Sequence, residues 1–493
     1  MDLLACTPAL STICELLALT DTRSLRNLCL TNSCINRLCR VYLVYRWTNS
    51  KHCPEPSIRC FALHLQKHPE LRSMVKIVDF GILRWLPPNT DWESVSSTDS
   101  KYDPHFVTLA ENLRPDVDYY CPYSGPEMLE AIKRGSEDAL VIAILAWCKR
   151  ITHLTMAIPE FDVDDPQSLY IWAFRFANEI CFQSSDVRKG GREASDSPLA
   201  QLQYVELMPG NPETPVYWKV VTPFICLPKV KSLVAWRLCD AGFIKDIWEM
   251  ATGAPEDDDD NLFGAESRVS NVEELMLMHA GLSVEGLGEF HYLLPGLKKL
   301  TLQPCNDYDY FDMPDFDDLA DYLTQYGESL EALDLNFNPI PGRCPHDSSY
   351  PPFIENPVAE TVYRNCTQLR RLSCPMMGLF TDGDDSSDGN WNESGYYEIT
   401  IVLDRLPKSI EYLKPRRRHF VEDWFHNRPP VKVYIDGFIE LLREAAPGRR
   451  LSNLKVLDLS ETFVDDPDTD GIDKIKELAE IQGIKLLLAK RQA

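Results

Sequence analysis

The sequence predicts an α/β chain in which parallel strands alternate with return helices. Three observations carry that prediction. One apolar pattern, a residue followed by others three and five positions on, recurs along most of the chain. Amphipathic segments of helical period fill several of the intervals between copies. The chain of 493 residues is too long for one ordinary compact domain, which leaves several domains or an elongated array.

The clear copies are Val75-Val78-Phe80, Ile151-Leu154-Met156, Leu202-Val205-Leu207 and Val272-Leu275-Leu277. Leu297-Leu300-Leu302, Leu330-Leu333-Leu335, Leu369-Leu372-Cys374 and Leu454-Leu457-Leu459 continue the series. Val230-Leu233-Ala235 and Ile410-Leu413 are weaker copies. The last two positions are two apart, so in a strand they share one face, and the first lies in the entering turn. This is the strand of a leucine-rich repeat. The stretch Leu330 to Ile340 is complete, with Asn338 at the position where a side-chain amide satisfies buried turn backbone. Leu297 to Cys305 has the Cys variant. Spacing between first positions is irregular, 25 residues from Val272 to Leu297 but 51 from Ile151 to Leu202. The longer intervals have room for helices. Residues 168–182, the set Leu319, Leu323 and Tyr326, and the set Ile439, Leu441 and Leu442 read as return helices. Residues 87–104, 183–198, 254–261 and 381–389 are polar, acidic or Gly/Ser-rich and read as surface insertions.

Residues 9–46 read as three short helices, with Asp21-Thr22 as a start signal for the second. Helices this short bury little among themselves and pack on something more. The stretch Pro8 to Trp47 resembles an F-box. It supplies Pro8, Ile13, Leu16, Leu17, Asp21, Leu25, Leu28 and Leu30, a polar turn at Thr31-Asn32-Ser33, and Leu43, Tyr45 and Arg46 at its end. Thr7 stands where the family has Leu, and the family's Glu after the Pro is missing. Residues 57–80 are similar to a segment common in fungal F-box proteins, a helix that ends at Pro-Glu-Leu and leads into a first strand. The resemblance implies a substrate receptor of a cullin-based ubiquitin ligase. Its box docks on a Skp-type adaptor through apolar side chains, with Pro8, Leu10, Ile13, Leu17, Leu25 and Leu28 divided between the box core and the interface. An unidentified protein substrate is held by the repeats. The other reading of the same segment is a helical cap on a non-catalytic repeat scaffold with no ligase role.

The expected organisation is an F-box-like module over residues 1–48, a connecting helix and first strand over 49–90, an irregular insertion and helix over 91–145, and a repeat solenoid with acidic loops over 146–493. The net charge of -25 repels nucleic acid and anionic membrane and attracts a basic protein partner. The 16 cysteines are scattered without a CxxC pair, and no uninterrupted apolar segment reaches membrane-spanning length. A reduced cytoplasmic or nuclear protein fits these features. No Walker loop, HExxH or GxSxG motif occurs, so no catalytic residue and no cofactor are assigned. Cys60, His64 and His68 recur every fourth residue on a predicted helix, with Cys53 nearby, but the spacing matches no common zinc module and no metal is assigned. The one dense basic run is Lys414-Pro415-Arg416-Arg417-Arg418-His419. Three readings stay open: a solvated loop, a nuclear localisation patch, or Arg416, Arg417 and Arg418 gripping an acidic or phosphorylated substrate.

Overall fold

The computed structural model describes residues 7–49, 57–81, 102–121, 124–158, 172–186, 197–210, 215–240, 270–304, 316–336, 363–376, 379–382, 399–416, 432–463 and 471–489. The chain divides into two units, one of residues 1–236 and 242–272, the other of residues 237–241 and 273–493.

The first unit begins with the helices α1 (Thr7–Thr20), α2 (Thr22–Cys29) and α3 (Ser33–Cys39). Their boundaries follow from local chemistry. Asp21 caps α2 by accepting the Ser24 N–H at 3.0 Å, and Asn32 caps α3 by accepting the Ile35 N–H at 2.9 Å. The core of the three is built on small residues, Cys14, Ala18, Cys29 and Cys39, with Leu25 between them. Leu10, Leu17, Leu28, Ile35, Leu38, Tyr42, Leu43 and Tyr45 pack around it.

The module then runs directly into strand β1 (Arg46–Thr48), which pairs in parallel with β2 (Ile77–Asp79). The Tyr45 carbonyl accepts both the Lys76 and Ile77 N–H groups. Between the two strands lies helix α4 (Ser57–Lys67), whose Phe61 ring stacks on Trp47 at 4.6 Å and 4°. The pairing of β1 with β2 therefore joins residues 1–48 to residues 49–90. Helices α5 (Pro104–Tyr120), α6 (Gly125–Lys133) and α7 (Glu137–Trp147) lie where an irregular insertion and helix are expected. Every residue of α7 is buried, and from Ala139 to Trp147 its sequence is apolar all round. Strands β3 (His153–Ile158), β4 (Tyr204–Pro209) and β5 (Ser232–Trp236) follow, with α8 (Trp172–Asp186) between β3 and β4. Asp138 of α7 caps α8 by accepting the Trp172 N–H at 2.6 Å. The order β1-β2-β3-β4-β5 is the order of the sequence, and every neighbouring pair is parallel.

In the second unit, β6 (Glu274–Ala280), β7 (Lys299–Pro304), β8 (Ala332–Leu335), β9 (Arg371–Pro375), β10 (Tyr412–Arg416), β11 (Val456–Leu459) and β12 (Lys485–Leu488) also follow sequence order in parallel pairs. Helices α9 (Val284–Tyr292), α10 (Phe316–Tyr326), α11 (Lys432–Glu444) and α12 (Ile472–Ile481) lie between strands along the chain. A short antiparallel pair, Phe380–Asp382 with Ile399–Ile401, is an addition to this scheme.

All ten copies of the apolar pattern fall on parallel strands, and their first positions, from Val75 to Leu454, are buried. Register explains why. Leu333 sits opposite Leu300 and Leu372, and Leu335 opposite Leu302, so identical positions of successive strands form continuous apolar rows. The residue just before each of the strands β6 to β11 makes a different row: Glu273, Lys298, Glu331, Arg370, Glu411 and Lys455. Backbone bonds link each to the next, from the Lys298 N–H to the Glu273 carbonyl through to the Lys455 N–H on Glu411. The sign of charge alternates at every step. Lys298 lies 3.0 Å from Glu273, and Lys455 2.6 Å from Glu411.

Candidate functional site

Two surfaces carry the side chains that the sequence singles out. The first is on the helical module. Leu25 is fully buried in its core, and Leu10, Leu17 and Leu28 are half-buried against that core. These four hold the module together. Of the six residues expected at an adaptor interface, Ile13 and Pro8 are the exposed ones. Ile13 does not stand alone. It is 49% exposed, Leu16 56%, Leu19 38% and Leu30 80%. Leu16 and Leu30 belong to the F-box resemblance, and Leu19 lies outside it. The reason is geometric. Cys14 and Ala18 take the inward positions of α1 because their small side chains let the helices approach closely, and the larger Ile13, Leu16 and Leu19 are left facing water. Tyr45 closes the other side, donating its hydroxyl to Glu15 Oε1 at 2.9 Å. Burial and that carboxylate push its phenol up to about 12.

The second surface is the open face of the strands, made by the residues that alternate with the buried rows. In the second unit Arg416 is its centre. The guanidinium is held by this chain's own groups: Nη2 donates to both Asp334 oxygens at 3.0 Å, Nη1 to Glu461 Oε2 at 3.1 Å, and Nε to Ser373 Oγ at 2.6 Å. Lys414 lies 2.5 Å from Glu461, and Tyr412 donates to Asp458 at 2.7 Å. Arg416 therefore ties β10 to β8, β9 and the turn after β11, with its fork occupied. Arg417 and Arg418 lie outside the described residues.

The open face of the first unit centres on Glu206 of β4. It accepts from Tyr204 at 3.3 Å, from Trp236 Nε1 at 3.4 Å and from Thr155 at 3.5 Å. The His153 ring lies 5.6 Å from that of Tyr204. Asp79 occupies the matching position of β2, next to Thr155. Its carboxyl is held above the usual range by burial and by the charge of Glu206, against the Gly81 N–H and Arg46. The signal for these residues is in the sequence: the position between the last two apolar residues of each copy is the one that faces outward.

Among the described residues no group of three or more His, Cys, Asp or Glu side chains is placed to hold a metal ion. His64 and His68 face one another at 4.7 Å on α4, with His68 against Glu70. Among those residues no helix is long and apolar enough to cross a membrane. Chemically, the helical module exposes large apolar side chains, and the strand faces carry paired charges and rings.

No protein-family model matches this chain, and no curated protein matches it.

Proposed function

We propose that this chain is the substrate receptor of a cullin-based ubiquitin ligase, with an F-box at residues 7–48 and a leucine-rich-repeat-like solenoid beyond it. The observation that carries the reading is the set Ile13, Leu16, Leu19 and Leu30, left exposed on a module whose core is already closed. Large apolar side chains gathered on one small module mark a docking surface. A Skp-type adaptor is the occupant that the F-box resemblance supplies. The parallel strands support the second half of the reading, since their open face offers a long, adaptable row of side chains to a protein substrate. The receptor is non-catalytic. It positions the substrate near the ubiquitin donor, and partner subunits perform the transfer.

The test is adaptor capture by the full-length chain and by a Leu16→Asp/Leu30→Asp double variant. Point changes are preferable to removing residues 1–48, because removal also strips β1 from β2 and Trp47 from Phe61. Capture by the wild type and its loss in a variant of unchanged melting temperature is the expected result. Equal recovery, or none with either, would leave a repeat scaffold with a helical cap.

A further inference from the structure

We propose that the open face of β2, β3 and β4 docks a basic segment of the partner protein, with a lysine or arginine side chain seated over Thr155 between Asp79 and Glu206. The inference deepens the receptor reading by naming the chemistry of the substrate. It begins with register. Thr155 pairs with Asp79 on one side and with Glu206 on the other. The two carboxyl-bearing strands are therefore separated by one strand, about 9.5 Å at ordinary sheet spacing. The residue between them is small, which leaves room above it for a long side chain.

Charge is the second part. Among the described residues neither Asp79 nor Glu206 has an ion-pair partner, and Arg46 is the cation that acts on Asp79. The hydrogen bonds to Glu206 come from neutral groups, a threonine hydroxyl, a phenol and an indole. This differs from the second unit, where Asp334 and Glu461 are already matched by Arg416. Two half-buried carboxylates outside any ion pair among the described residues favour an incoming cation. The net charge of -25 draws basic segments toward the chain from a distance.

Aromatic rings are the third. Tyr204 and Trp236 are half-buried on the same face, and both hold Glu206. With His153 against Tyr204, they present ring surface beside the carboxylates. Rings attract ammonium and guanidinium groups and cover the methylene stem that carries them. An acidic or phosphorylated segment would meet repulsion at this place.

The test uses the full-length chain and a fluorescein-labelled Gly-Lys repeat peptide, followed by fluorescence anisotropy. Gly-Ser and Gly-Glu repeats of equal length are the comparison. Binding of the lysine peptide in preference to both is expected. Asp79→Asn/Glu206→Gln should weaken it at least about ten-fold. Glu111→Gln/Asp118→Asn removes the same charge from the exposed side of α5 and should change it less than about three-fold. Thr155→Leu fills the gap without altering charge and should weaken binding as the first pair does. Equal weakening by the two double variants, binding unaffected by Thr155→Leu, or preference for the glutamate peptide would each overturn the proposal. Adaptor capture is read in parallel. A wild-type chain that binds the lysine peptide but no adaptor would remove the ligase role and leave this surface assigned.

Discussion

Replacing Arg416 by alanine separates a structural clamp from a substrate contact. The side chain is 15% exposed, while its partners Glu461 and Asp334 are 30% and 37% exposed. Fully buried pairs cost roughly 3–5 kcal/mol when one member is removed, and exposed pairs roughly 0–1. This arrangement lies between those limits, because the guanidinium is largely out of water and the carboxylates keep part of their hydration. The expected loss is about 1–3 kcal/mol. Arg416→Lys should recover less than half of it, since one ammonium cannot reach Asp334, Glu461 and Ser373 together. Urea unfolding at low and high salt is the assay, with a smaller difference expected at high salt. If Arg416→Ala unfolds at the wild-type midpoint yet loses an acidic partner, the guanidinium reaches outward and the clamp is refuted.

Further predictions concern the core, pH and the helical module. Leu335→Ala, at a fully buried position of β8, should cost about 2–5 kcal/mol in urea unfolding, and a loss under about 1 would contradict close packing of the leucine rows. His291 is buried, with Nδ1 2.9 Å from the Tyr322 hydroxyl, and burial pushes its imidazole down to about 4. A folded value below the ordinary 6.5 means that its contribution is present above pH 6.5 and lost as pH falls from there through about 4. Melting temperature should fall over that window, and His291→Gln should flatten the fall. In the helical module, Leu25→Asp should unfold residues 7–48 as seen by circular dichroism, whereas Leu16→Asp should leave the spectrum unchanged.

The strands were legible because their signal is repeated. Each copy places two leucines or their equivalents on one face, and stacking in register buries them all, so even the weak copies at Val230 and Ile410 lie on strands. The first strand of the first unit and the last strand of the second escaped the pattern. In β1 the position opposite Val78 is Trp47, held by the Phe61 ring, and β12 is entered through Gly483 at positive φ. The helical module was legible in its caps and its apolar content but not in its faces. Nearly every turn of α1 offers both a large and a small apolar residue, and periodicity alone does not say that Cys14 and Ala18 point inward. The pairing of Arg416 with Asp334 spans 82 positions of sequence, and no local pattern announces it.

The alternation along Glu273, Lys298, Glu331, Arg370, Glu411 and Lys455 bears on how such a chain changes length. Deleting the strand segment that carries Glu331 would bring Lys298 against Arg370, and deleting the one with Arg370 would bring Glu331 against Glu411. Either loss sets like charges side by side on adjacent strands, which disfavours the new junction. Removing two neighbouring strand segments restores opposite signs at the seam. The row thus acts as a parity rule, under which the parallel strands of the second unit tolerate growth or shrinkage in pairs better than in single steps. The same rule opposes skipping one strand during folding: β10 set against β8 in place of β9 would bring Glu411 beside Glu331.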